Sequence, residues 1–257
     1  MADRGAVTAV VARLAAEDLA EEDLARVVCE ACVAGLDVDG AAISVLPTEP
    51  SRRTLWATDE TALALEDLQF TLNEGVCLEA ATSGVPVAVP DLTEAARLAR
   101  WPVFGVEVSA RTPARALYAL PLQWGAVTIG VLDLYRLRAG DFTTAQWRDL
   151  LGVAQTTSML LLSRRTRPRP PGPADDVAGA VGNGRGHPGN GVDGLSDGVF
   201  GNPEIHQAVG MVLAQLGIGP EEALTRMRAR AFIEQRMLID VAHDVVARRV
   251  VFTEEIG

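Results

Sequence analysis

Apolar and polar positions follow two different periods along the front of the chain. Residues 5–16 and 22–35 repeat apolar side chains at three- and four-residue spacing, the second with Leu24, Val27, Val28, Ala31 and Cys32 on one side, and both predict helices. Asp39-Gly40 introduces the apolar run 41–46, closed by Pro47, and residues 54–58 follow a polar turn; two short strands in a hairpin are expected. Residues 62–72 return to the helical period, Asn73-Glu74-Gly75 interrupts it, and residues 76–83 predict a short helix closed by Gly84, ahead of a strand at 85–89. Residues 115–122 and 127–136 are rich in β-formers, and Gln123-Trp124-Gly125-Ala126 between them has the length of a hairpin turn. Residues 143–162 put Trp147, Leu150, Leu151, Ala154, Leu161 and Leu162 on the broad apolar side of a candidate dimer helix, where Thr157 and Ser158 interrupt a coiled-coil pattern. Strands broken by helices and joined by hairpins predict an α+β fold built on an antiparallel sheet.

Residues 164–202 break the pattern, with ten Gly, five Pro and little apolar bulk, which is the composition of a flexible linker. The helical period then returns. Asn202-Pro203-Glu204 combines a capping side chain, a preset φ and an acid at a helix start. Ile205, Ala208, Val209, Val212, Leu213 and Leu216 make one stripe, which Gly217 ends. Gly219-Pro220-Glu221-Glu222 repeats the start signal, and Ala223, Leu224, Met227 and Ala231 give the second helix its buried face. After a break expected near Glu234 to Arg236, Leu238, Val241, Ala242 and Val245 predict a third helix. The organisation read from these patterns is an α+β domain at 1–163, a linker at 164–202, an all-α three-helix module at 203–252 and a tail at 253–257.

Composition narrows the chemistry. The chain of 257 residues carries a formal charge of −11, spread unevenly: residues 1–163 hold 12 Arg against 22 acids, while residues 203–252 hold six Arg and six acids. The front domain therefore repels nucleic acid, and any basic face on the module must come from the distribution of its charges. No signal-like segment or membrane-length apolar run is present, and a cytoplasmic protein with three free thiols is expected. There is no Lys, and no His precedes His187, which removes His-activated nucleophiles and His-ligated metals from the front domain. Cys29 and Cys32 form C-x-x-C within a helix, where small core residues are common, and with Cys77 they are too few for a four-cysteine cluster. No metal, cofactor or catalytic residue is expected.

The order of motifs in the front domain resembles a GAF domain of the kind bacteria use as small-molecule sensors. Residues 73–80 read N-E-G-V-C-L-E-A, residues 86–92 P-V-x-V-P-D-L, residues 101–104 W-P-x-F, and residues 119–136 A-L-P-L-x(7)-G-V-L-D-L-Y-R. The resemblance implies a six-stranded antiparallel sheet with helices on one face and loops over a pocket on the other. Candidate pocket residues are Cys77, Trp101, Phe104, Tyr118, Asp133 and Tyr135; the side of the sheet that Asp133 faces depends on strand register. Cyclic-nucleotide-binding GAF domains use a Lys that this chain lacks, which argues against that ligand.

The module resembles an ANTAR domain. Residues 205–211 read I-x-Q-A-x-G-M, residues 221–224 E-E-A-L and residues 238–242 L-x-D-V-A. Members of that family bind paired RNA hairpins and antiterminate transcription, and a GAF domain followed by ANTAR is a recognisable bacterial pairing. The chain departs from the pattern at Val209, where many members carry Lys, and at Gln235-Arg236-Met237, where many carry Asn-Arg-Lys. The reading that follows is a homodimeric signal-responsive antiterminator. Arg226, Arg230, Arg236, Arg248 and Arg249 are its candidate phosphate and loop contacts, and Gln207 and Gln235 its candidate base readers. Arg228 is expected on a solvated face. The alternatives are a protein- or DNA-binding output and, behind these, a cysteine-dependent methionine sulfoxide reductase.

Overall fold

The computed structural model describes residues 5–46, 53–94, 99–165 and 203–253. Most of the expected linker, with the Asn202 cap, lies outside them. The elements are α1 (Ala6–Arg13), a 3-10 turn (Leu14–Ala16), α2 (Glu21–Gly35), β1 (Gly40–Val45), β2 (Arg53–Ala57), α3 (Glu60–Leu72), α4 (Val76–Ser83), β3 (Val87–Val89), α5 (Pro102–Arg111), β4 (Ala116–Trp124), β5 (Val127–Arg136), α6 (Thr144–Arg165), α7 (Pro203–Leu216), α8 (Pro220–Ile233) and α9 (Leu238–Val246).

The described strands form one antiparallel sheet in the order β2-β1-β5-β4-β3. It has five strands among the described residues against the six expected. After β3 the chain leaves the sheet as α5, which starts with Pro102 in its first turn. The β4–β5 connection is tighter than the four residues expected: Trp124 pairs with Val127 across Gly125-Ala126, and Gly125 takes φ 59°, a left-handed conformation that glycine enters without steric cost. Gly130 permits the close approach of β5 to β1, because a Cβ there would sit 2.5 Å from the Ser44 carbonyl oxygen.

Both faces of the sheet are covered by helices. Alternate residues Ile43, Leu120, Leu122, Leu132 and Leu134 face α1, α2 and α6, meeting Leu24, Val28, Leu150 and Leu161. The opposite set, Ala42, Leu117, Ala119, Val131 and Tyr135, faces α3, α4 and α5 through Leu65, Leu68, Val76, Phe104 and Val108. The second face was expected to lie under loops. The apolar stripes of these three helices bury themselves there instead.

α1 begins without a capping side chain of its own, since its N-cap is Gly5. The Asp149 carboxylate of α6 supplies the cap, accepting from the Val7 amide at 3.2 Å and the Thr8 amide at 3.0 Å. Arg164 adds a second tie, donating to the Leu14 and Glu17 carbonyls at 3.2 and 2.6 Å.

Helices α7, α8 and α9 close a separate small core of Ile205, Ala208, Val212, Leu224, Met227, Leu238 and Val245. The break expected near Glu234 to Arg236 is present, with Gln235 at φ 52°. The module rests on the front domain through α3. The Leu238 amide donates to Thr71 Oγ1 at 3.4 Å, and Phe70 packs against the module core. Arg111, in the last turn of α5, donates to Met237 Sδ at 3.8 Å. Among the described residues no helix is long and apolar enough to cross a membrane.

Candidate functional site

Five of the six candidate pocket residues come together on the α3–α4–α5 side of the sheet. Strand register decides the Asp133 question: Val131, Asp133 and Tyr135 alternate toward α3 and α4, while Leu132 and Leu134 face the other way. Gln69, on the buried side of α3, accepts the Cys77 amide at 2.8 Å and so fixes the start of α4. Glu74 accepts the Val103 and Phe104 amides at 3.1 and 3.0 Å, capping α5 and holding Trp101 edge-on to Phe104 with ring centroids 6.3 Å apart. Tyr135 donates its hydroxyl to Asp59 Oδ1 at 2.9 Å, and Asp59 also caps α3 by accepting the Ala62 amide at 2.9 Å. Burial, reinforced by that hydrogen bond, pushes the Tyr135 phenol up to about 12.

Tyr118 is a correction. Its place on β4 is opposite in phase to Leu117 and Ala119, so it points into the α6 side and packs tilted against Phe142 at 4.3 Å between centroids and edge-on against Trp147 at 6.0 Å. Its hydroxyl donates to the Gly140 carbonyl, and Arg136 lies over the Phe142 ring at 4.1 Å. The tyrosine anchors the loop between β5 and α6. A one-residue difference in strand phase moves a side chain across the whole sheet.

Of these pocket residues, Asp133 and Tyr135 border a small cavity. A cavity of about 10 Å³, room for roughly one water, is lined by Glu66, Gln69, Val76, Asp133 and Tyr135. Glu66, Cys77 and Asp133 bring their ligand atoms within 4.8 Å of one another there, at 1 %, 1 % and 8 % exposure. Glu66 and Gln69 are polar residues in the same helical phase as Ala62 and Leu65, and that phase is the signal for them in the sequence. Cys29 and Cys32 lie on the other side of the sheet from Cys77. Burial holds the Cys32 thiol up at about 12. It also raises the Cys29 thiol well above its ordinary value, helped by Cys32 and then by the carboxylates of Glu66 and Asp133.

A larger cleft, of about 600 Å³, opens between the front domain and the module, lined among others by Trp56, Leu63, Phe70, Ile205 and Ile239. It was not anticipated, because its two walls come from parts of the chain more than a hundred residues apart.

The sheet order, the paired helical layers and the small internal cavity agree with a family comparison in which the GAF domain profile matches residues 18–161. The chain belongs to the GAF domain family. Among solved structures, the GAF domain from a phosphoenolpyruvate-protein phosphotransferase of Coxiella burnetii aligns over 62 % of this chain and 92 % of its own at 12 % identity, with TM-score 0.50, a likeness of fold. The GAF domain of the Acinetobacter phosphoenolpyruvate-protein phosphotransferase covers 63 % of this chain and 95 % of its own at 13 % identity, TM-score 0.49. Free methionine-R-sulfoxide reductase from Neisseria meningitidis, in complex with its substrate, covers 64 % and 94 % at 15 % identity, TM-score 0.48. No curated protein matches the chain.

The candidate RNA contacts lie outside the matched GAF domain, on the module, and most are engaged with its own acids. Arg226 pairs with Glu222 at 3.0 Å and Arg230 with Glu234 at 2.7 Å. Arg236 reaches Glu234 at 3.1 Å and Asp244 at 2.6 Å, and Arg249 also meets Asp244 at 2.6 Å. Hydrogen bonds from Arg236 and Arg249 hold the Asp244 carboxyl below the usual carboxylate range. Gln207 and Gln235 are exposed. α9 ends at Val246, so Arg248, at φ 57°, and Arg249 follow the helix. Val209, at the position where many ANTAR domains carry Lys, is buried in the module core. Arg228 does not lie on a solvated face: its guanidinium sits 4.9 Å from the Phe70 ring centroid, and burial lowers its pKa to about 10.

Proposed function

We propose that the chain is a signal-responsive transcription regulator in which the GAF domain senses a small molecule or stress signal and the module 203–252 acts as an ANTAR domain, binding RNA hairpins to antiterminate transcription. The observation that carries this reading is the module's construction. The stretches I-x-Q-A-x-G-M, E-E-A-L and L-x-D-V-A open or occupy three successive helices of one closed core, α7, α8 and α9. Gln207, Arg226, Gln235, Arg248 and Arg249 sit at exposed positions around that core. The module's contacts with α3 supply a route of control, because a signal that alters α3 also alters what the module presents. In this reading the working unit is a cytoplasmic homodimer, with two modules engaging two hairpins and gaining avidity from their linkage.

The ion pairs at Arg226, Arg230, Arg236 and Arg249 favour a second reading, a protein-binding output, because a module that neutralises its own cations has little left for phosphate. DNA binding suffers from the same neutrality. A reductase would need a resolving thiol near Cys77, and Cys29 and Cys32 lie across the sheet from it.

The deciding experiment is binding of the full chain to a tandem-hairpin RNA and to the same RNA with scrambled loops, at two salt concentrations. Loop-dependent affinity that falls with salt is the expected result. Loop-independent or absent binding sinks the RNA reading and turns the search to protein partners.

A further inference from the structure

Three chemically different side chains converge inside the GAF domain from three elements. Glu66 comes from the buried face of α3, Cys77 from the first turn of α4 and Asp133 from β5, and their carboxylate and thiol atoms all lie within 4.8 Å of one another. Ser44 of β1 adds a hydroxyl 4.0 Å from Cys77 Sγ. Glu66 and Asp133 also line the cavity of about 10 Å³ beside them, whose remaining walls are mostly Ala41, Ala42, Ala62, Leu65, Val76 and Leu117.

Two carboxylates and a thiol buried this close together form the kind of donor set that a metal ion takes up. The cavity is too small for an organic ammonium and matches one water or one bare ion. We propose that Glu66, Cys77 and Asp133 hold a divalent transition-metal ion. One thiolate and two carboxylates suit zinc or iron(II) better than calcium or magnesium, which prefer oxygen alone. In a tetrahedral site the ligand atoms lie roughly 3.5 Å apart, so the 4.8 Å set closes by about an ångström through side-chain rotation. Binding displaces the thiol proton and any proton shared by the carboxyl groups, and three protein ligands leave one coordination position toward the cavity or Ser44. Expectations based on cysteine and histidine spacing did not reach this set, because two of its members are carboxylates distant in sequence.

The test uses the full chain, stripped with chelator and titrated with Co²⁺, whose bond to a thiolate gives a near-ultraviolet charge-transfer band. The expected result is saturation at about one ion per chain, with the band lost in Cys77→Ser and retained in the Cys29→Ala/Cys32→Ala double variant. Glu66→Gln and Asp133→Asn, which keep side-chain shape, are each expected to weaken binding at least about tenfold. Should Cys77→Ser fail to fold, these two variants decide the matter. A folded wild type that gives no thiolate–cobalt band overturns the proposal, as does a band that survives Cys77→Ser or an affinity unchanged in folded Glu66→Gln and Asp133→Asn. None of these readouts involves RNA.

Discussion

Phe70→Ala is expected to loosen the contact between the GAF domain and the three-helix module while leaving each core intact. Phe70 projects from α3 onto the module core and carries the Arg228 guanidinium at 4.9 Å from its ring centroid. Full burial of a phenylalanine is worth up to about 3 kcal/mol, so a half-buried one contributes roughly 1–1.5 kcal/mol. The cation–π contact adds about 0.5–1 kcal/mol. One term opposes these. Burial pulls the Arg228 pKa down to about 10, so holding that cation at the interface costs free energy, which undocking returns. A net loss of roughly 1–2 kcal/mol remains, or about a 5- to 30-fold shift of the docked equilibrium toward the open form. Amide hydrogen exchange reads the change locally: protection should fall at residues 66–72 and at Leu238, whose amide donates to Thr71. The strands β4 and β5 should keep theirs. Unchanged exchange at both segments would refute the docking argument, and so would a general loss of protection through the sheet.

Two further expectations test other parts of the structure. Because burial holds the Cys32 thiol up at about 12 and raises Cys29 as well, the folded state keeps two protons that an unfolded chain releases near pH 8.5. The stability these thiols contribute is therefore complete below that pH and declines as pH rises toward the folded values, so the wild-type Tm should drop more between pH 8 and pH 10 than that of Cys29→Ala/Cys32→Ala; equal drops would contradict it. Tyr118→Phe removes the hydrogen bond to the Gly140 carbonyl and is expected to cost about 1 kcal/mol of stability, read by denaturant unfolding, with cobalt binding unchanged. Altered cobalt binding with unchanged stability would return Tyr118 to the pocket side.

Local chemistry made much of the fold legible from sequence. The helices α2, α3, α4 and α6 show their stripes, Gly84 closes α4 in a left-handed conformation, and Pro203 and Pro220 start two module helices where proline belongs. What local chemistry could not convey was phase. Tyr118 and Asp133 are both polar-tipped residues in apolar strands, yet they face opposite ways, because β4 and β5 pair with Ala119 opposite Asp133 and Tyr118 opposite Leu134. α5 is not legible in the sequence, because Gly105 and the short run from Pro102 weaken its pattern, and its cap comes from Glu74, nearly thirty residues earlier. The Glu66–Cys77–Asp133 cluster and the burial of Arg228 depend on contacts between distant segments, which no spacing rule encodes.

Asp149, near the start of α6, meets the start of α1, while Arg164 at its end meets the Leu14 and Glu17 carbonyls, so α1 runs alongside α6 and the domain that follows Glu17 is entered and left at one pole, where Arg164 and Glu17 meet. A circularly permuted chain, joined across that pole and opened at Gly125-Ala126, should keep the domain's architecture. Anything attached at either end would start from the same place, so a twist at that pole would reach both attachments at once.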